Sequence, residues 1–370
     1  MFAAANALKF ASMYSHLMKL KPLSSVNTGV GRDISDATAE ARESSLTYMP
    51  QVLSRSDAKR NALNAATQFI DKHEARFWRG ARDLKLSLKQ EMQLERLVSD
   101  RRLHGYLPTS NRHVRLRAQE ALIEQLHELF ARSAPELKLL TLTWDAGLTF
   151  EDRPVVDIAA MISQASRAIA GVGLNAICAI EVDGLSRVLE GEHARRLIFH
   201  IHAVCWTSGG PFSSKAKERT IAAQAPPDDF RHAWGVSPVR FTAKRKLDWV
   251  AVAGLGMYLL KAPRCLKKRV WRGQLQKFKL LKAPAEEYRP AAAVRLMDLH
   301  SRWDVRDIVF GVGVGVSLYE AWKHDLLQKF PGKRSDPAFD KHSVKRLWRG
   351  IYNRAINGCW DGYGLGDVRI

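Results

Sequence analysis

Hydrophobic spacing divides the chain into a helical first part and a strand-rich middle. From Ser56 to about Arg102 a charged stretch carries Leu63, Ala66, Phe69 and Ile70 at helical intervals. Tyr106-Leu-Pro-Thr-Ser-Asn111 interrupts it. A second amphipathic helix is predicted over about Asn111–Arg132, with Leu116, Leu122, Ile123, Leu126, Leu129 and Phe130 facing inward. Ser133-Ala-Pro135 ends it, and the pattern changes. Leu137–Trp144 reads as a strand closed by Asp145-Ala-Gly147. Asp157 caps a helix that runs to about Ala170 and stops at Gly171-Val-Gly173. Two further strands follow, Asn175–Val182, with a turn starting at Asp183-Gly184, and Arg196–Trp206. A short helix, a further strand at Val239–Phe241 and a helix over Leu247–Lys261 complete this part. Helical patterns resume at Ala291–His300 and Leu318–Phe330.

The order strand–helix–strand–strand–helix predicts an α+β fold with a central antiparallel sheet of ferredoxin-like kind. Helical extensions flank it on both sides. Residues 1–54 read as a loosely ordered basic segment and 55–135 as a helical region. Residues 136–285 read as the sheet-bearing domain, and 286–370 as a basic, partly helical C-terminal region. Met1–Pro22 resembles an organellar presequence in composition, but a basic arm or leading helix is the reading adopted.

Charge narrows the partners. A formal net charge of +20 and a pI near 10.0 make a polyanion the expected partner. No apolar run approaches the roughly 20 residues of a membrane-spanning helix, so no membrane association is expected. The four cysteines are scattered, without metal-ligand spacing, which suits a reducing compartment.

The chemistry lies in the strands. Successive side chains of a strand leave opposite faces, so His200 and His202 in Arg196–Trp206 project together. An H-x-H pair taken alone is most often structural. Glu181, in the neighbouring strand-like run, would complete a set of two nitrogens and one oxygen that suits Mn²⁺ or Mg²⁺, with Zn²⁺ able to compete. Glu192 and His193 are alternative third ligands in the intervening turn. Downstream, Tyr258 and Lys261 share one helical face. A phenol ordinarily keeps its proton until about pH 10; a nearby ammonium favours the phenolate and can offset charge on an attacked phosphate.

Leu140-Thr-Leu-Thr143, the Glu181 strand, Phe199-His-Ile-His202 and Tyr258-x-x-Lys261 follow one another in the order of the three motifs of HUH endonucleases. The stretch Leu137–Pro263 resembles the rolling-circle replication initiators of plasmids and phages, and 136–285 would then be the nuclease domain. The resemblance implies that His200, His202 and Glu181 hold a divalent metal and that Tyr258 is the nucleophile, assisted by Lys261. It implies nicking of single-stranded origin DNA, with a covalent 5′-phosphotyrosyl intermediate and a free 3′ hydroxyl. Host helicase and polymerase would be partners, and the bacterial cytoplasm the compartment. An HUH transposase and a non-catalytic DNA-binding protein are the alternatives. The chain departs from the pattern in having one motif tyrosine and in Ala262-Pro263, where a further aromatic is common.

Between Arg240 and Lys282 thirteen Lys and Arg face a single acid, Asp248. Lys244, Arg245, Lys246, Arg264, Lys267, Lys268, Arg269 and Arg272 are expected to track phosphates, and Trp271 to stack on a base. A solvated helix face is the plainer account of such a run. Gly311-Val-Gly-Val-Gly315 lacks the context of a nucleotide loop and reads as a tight turn or close-packed strand.

Overall fold

Alternation of apolar and polar residues is realised in a single sheet flanked by helices. The computed structural model describes residues 53–151, 154–186, 196–209, 212–224, 239–243, 247–263, 267–272, 277–282, 290–331 and 339–356; at 145–146, 185–186, 243, 267–272, 277–282, 290–291 and 354–356 it describes the backbone alone. From Arg55 onward the chain forms one compact unit.

The helical first part is three helices, α1 (Arg55–Ala81), α2 (Leu88–Ser99) and α3 (Arg112–Ser133). The predicted continuous stretch from Ser56 to Arg102 is broken where Lys85 adopts a left-handed conformation (φ 48°) and Ser87 caps α2 through a reciprocal bond with Gln90. Asn111 caps α3 by accepting from the backbone N–H of His113 and Val114. Its amide also donates to the carbonyls of Leu97 and Asp100, tying the end of α2 to the start of α3.

The middle part holds β1 (Lys138–Phe150), α4 (Ile158–Ala170), β2 (Asn175–Ser186), β3 (Arg196–Trp206), α5 (Ser214–Gln224), β4 (Val239–Ala243) and α6 (Trp249–Leu259). Asp157 caps α4 and Asp248 caps α6, each through its carboxylate. A hairpin follows, β5 (Lys267–Arg272) and β6 (Lys277–Lys282). Then come α7 (Pro290–Ser301), α8 (Val305–Ile308), β7 (Val309–Val312), α9 (Gly315–Gln328) and α10 (Lys341–Ile356). The fold is α+β, as predicted. Among the described residues the sheet runs β4-β1-β3-β2-β5-β6, with β7 also pairing β2. β1, β2, β3 and β4 are mutually antiparallel where they meet, whereas β2 and β5 are parallel over Leu185–Ser186.

Three strands are longer than predicted, β4 by the two residues to Ala243 and β1 and β2 by more. Asp145-Ala-Gly147 does not end β1; the strand passes through an irregularity between Thr143 and Leu148 and re-pairs with β3 to Phe150. A side chain at Gly147 would meet the Phe199 carbonyl 2.1 Å away, so only glycine permits that approach. Asp183-Gly184 is likewise paired strand, opposite Ile198 and Leu197. The glycine run is both things foreseen. Gly311 lies in β7, and Gly313 turns with φ 60°. A Cβ at Gly315 would fall 1.8 Å from the Ala176 carbonyl oxygen.

α6 is apolar around its whole circumference, which requires burial on all sides. It packs on β2 and β3, and on α1 and α3. No described helix is long and apolar enough to cross a membrane.

Candidate metal centre

Register alone brings the first three groups together. Glu181 pairs with His200 across β2 and β3, and His202 is two residues further along the same face. Their ligand atoms lie within 4.8 Å of one another, and all three residues are buried. The two Nε2 atoms are 3.0 Å apart, and Glu181 Oε2 is 3.4 Å from that of His202 and 3.8 Å from that of His200.

Hydrogen bonds behind the rings set this orientation. His200 Nδ1 lies 3.3 Å from the Ile198 carbonyl, to which only a protonated nitrogen can donate, leaving the lone pair on Nε2. His202 Nδ1 meets the Thr141 hydroxyl at 3.0 Å. Thr141 pairs with His202 in the sheet, and Thr143 with His200.

The helix supplies the rest. Lys261, just past the end of α6, donates through Nζ to Glu181 Oε2 and lies 3.2 Å from His202 Nε2. The same ammonium sits 4.1 Å from the centre of the Tyr258 ring, which meets the His202 ring edge-on at 4.8 Å. All five residues singled out for chemistry are thus in direct contact with at least one other, His200 through His202.

Electrostatics at this point are strong. Burial raises the Glu181 carboxyl to about 7, against the pull of Lys261 and Arg115 and with a push from Asp183. Burial would lower the Lys261 ammonium, but Glu181, Tyr258 and Asp183 outweigh it and hold it above its ordinary value. Glu181 Oε1 is buried without a partner. A buried carboxylate oxygen with no donor is costly, and a cation would relieve it. With two imidazole nitrogens turned to the same point, Glu181, His200 and His202 fit a divalent ion, the first through a carboxylate oxygen and the others through Nε2.

Two neighbours carried no signal as site residues in the sequence. Asp183, read as the start of a turn, places Oδ2 3.7 Å from His200 Nε2; its i+2 spacing from Glu181 puts it on the same strand face. Arg115 is buried in α3 and contributes charge near Glu181; periodicity, which tracks apolar residues, had no reason to select it.

Of the expected DNA-contacting residues, Lys244, Arg245, Lys246 and Arg264 lie outside the described residues, as do Glu192 and His193. Lys267, Lys268, Arg269, Trp271 and Arg272 form β5, so this basic run is a strand of a hairpin and not a helix face. Its backbone joins the sheet where Lys267 pairs with Leu185, four residues beyond Glu181.

Comparison with protein-family models, with curated proteins and with solved structures finds no match.

Proposed function

We propose that this protein is a metal-dependent single-strand DNA nickase and strand transferase of HUH type, acting at a replication origin. The observation that carries the reading is the contact of Lys261 with Glu181 and His202, with Tyr258 against His202. Motifs 56 to 80 residues apart in the chain meet in one site, its strand residues buried and Tyr258 and Lys261 half-buried. A tyrosine and lysine serving only as core would not need to lie over a metal-ligand set. The strand order β4-β1-β3-β2, threaded β1-α4-β2-β3-α5-β4, supports the ferredoxin-like sheet that the reading requires.

The chemistry is a phosphoryl transfer. Tyr258 Oη gives its proton to solvent and attacks the scissile phosphorus; the bond to the 3′ oxygen breaks, and that oxygen takes a proton from solvent and leaves as a 3′ hydroxyl. The 5′ phosphate stays on the tyrosine, so phosphodiester energy is conserved for rejoining. Lys261, held charged by Glu181, stabilises negative charge on the phenolate and the attacked phosphate. A divalent ion, Mn²⁺ or Mg²⁺ from the mixed nitrogen and carboxylate set, would supply Lewis-acid polarisation of a phosphate oxygen. The basic hairpin β5–β6, continuous with the Glu181 strand, offers a backbone-tracking surface for single-stranded DNA beside the site. The released 3′ hydroxyl would serve a polymerase as primer.

The test is incubation with Mn²⁺ and a pool of labelled random-sequence single-stranded oligonucleotides, followed by a denaturing gel. A protein–DNA adduct with the wild type and none with Tyr258→Phe is expected. Oligonucleotide binding without an adduct from any sequence in the pool would replace the nickase with a DNA-binding protein.

A further inference from the structure

The helix that carries Tyr258 ends without a glycine cap. Its last carbonyls have no partner within the helix and need donors from elsewhere, and Pro263 prevents the chain from continuing helically. Two side chains of α3 supply those donors. Arg115 Nη1 donates to the carbonyls of Leu260 (3.0 Å) and Lys261 (3.1 Å). Gln119 Nε2 donates to those of Met257 (2.7 Å) and Leu260 (3.2 Å). Both residues are buried. Arg115 is itself anchored, through Nε and Nη2, on the Thr109 carbonyl at 3.1 and 2.7 Å, and Nη2 lies 3.3 Å from His300 Nδ1.

The contact is also close. A Cβ at Gly256 would lie 2.9 Å from Ile123 Cγ1 and 3.0 Å from its Cα, so the backbones of α3 and α6 approach with no room for a side chain. This fixes the rotation of α6, while Arg115 and Gln119 hold its end. Gln119 does so although its Oε1 is buried with no partner, a penalty an apolar side chain of the same length would avoid. A cation at a helix C-terminus is favourable in its own right, but this one grips the carbonyl of the lysine that reaches the metal centre.

We propose that Arg115 and Gln119 are positioning residues that clamp the end of the tyrosine helix and so set Tyr258 and Lys261 over Glu181, His200 and His202. The role in cleavage rests on the nickase reading; the placement of the helix end does not. The experiment therefore has two readouts. The first is the distance of position 258 from a bound ion: 3-fluorotyrosine is introduced at that position alone, and its ¹⁹F relaxation by Mn²⁺ is measured. The second is the first-order rate of adduct formation on the cleaved oligonucleotide.

Gln119→Met and Arg115→Lys are expected to weaken the Mn²⁺-induced relaxation at position 258. Mn²⁺ affinity should stay within about twofold, and adduct formation should slow about 10- to 100-fold, as displacements near 1 Å cost. Oligonucleotide affinity should stay unchanged. Unchanged relaxation in both folded variants would overturn the proposal. So would a loss of Mn²⁺ affinity in step with the rate, which would mean that these residues support the strands and not the helix end. Gln119→Met, which removes no charge, carries the result if Arg115→Lys lowers the unfolding temperature below that of the assay. If the wild type forms no adduct, the nickase reading fails and the fluorine measurement alone decides the clamp.

Discussion

Among the described residues two pairs of buried histidines differ in what stands beside them: carboxylates together with the Lys261 ammonium at the first, a guanidinium at the second. His200 and His202 turn both Nε2 atoms towards Glu181, with Asp183 next to it. His73 and His300 lie instead near Arg115, and burial together with that guanidinium depresses both, His73 to about 3. Neither ring nitrogen of His73 has a partner, nor has Nε2 of His300. The first pair, with Glu181, could hold a metal ion; burial and the guanidinium keep the second neutral. Burial of a histidine is therefore uninformative until its neighbours are known.

Removing the first pair gives the largest expected effect. His200→Ala combined with His202→Ala should abolish detectable Mn²⁺ binding by titration calorimetry or electron paramagnetic resonance, because two of three ligands are lost. His300→Ala should leave it unchanged, since that ring meets Thr109, Arg115 and Trp303. Equal losses in the two variants would erase the distinction.

The second pair should govern acid stability. Below pH 6.5 an unfolded imidazole takes up a proton, whereas the folded His73 does so only near pH 3. The unfolded state then binds more protons, so stability is fully present above 6.5 and is lost as pH falls towards 3. The slope approaches about 1.4 kcal/mol per pH unit for each such group. Urea unfolding from pH 7.5 to 4 should show it, and His73→Leu should flatten it. A parallel slope in the variant would assign acid sensitivity to other groups.

The smallest effect has the opposite sign from a ligand loss. The Lys261 ammonium and a divalent ion are drawn to the same Glu181 and His202 lone pairs. Lys261→Met should therefore tighten Mn²⁺ binding, by up to about tenfold if the competition is worth about 1.4 kcal/mol. Weaker binding in Lys261→Met would mean that the lysine organises the carboxylate and does not compete for it.

Much of the fold is legible from local pattern. Arg196–Trp206 has the predicted bounds because apolar residues fill it and polar ones flank it, and Asp157 and Asp248 announce their helices by capping. Asp145–Gly147 and Asp183-Gly184 misled because turn-forming residues also occur where a strand bends or meets a carbonyl closely. The basic run from Lys267 became a hairpin. Charge says nothing about backbone, whereas Val270, Trp271, Phe278 and Leu280 favour strand.

The candidate site divides along the same line. Spacing along the chain was enough to put His200 and His202 on one face and Tyr258 and Lys261 on another, because the periods of strand and helix are set by covalent geometry within a few residues. It also placed Glu181 on the strand that follows a helix, a short step from pairing with β3. Packing brought Lys261 to Glu181 across 80 residues of chain, Asp183 into the cluster, and Arg115 and Gln119 onto the helix end. Those contacts depend on how closely α6 seats against α3 and the sheet. That distance is set by packing at Gly256 and by buried polar bonds, neither of which has a period to be read along the chain.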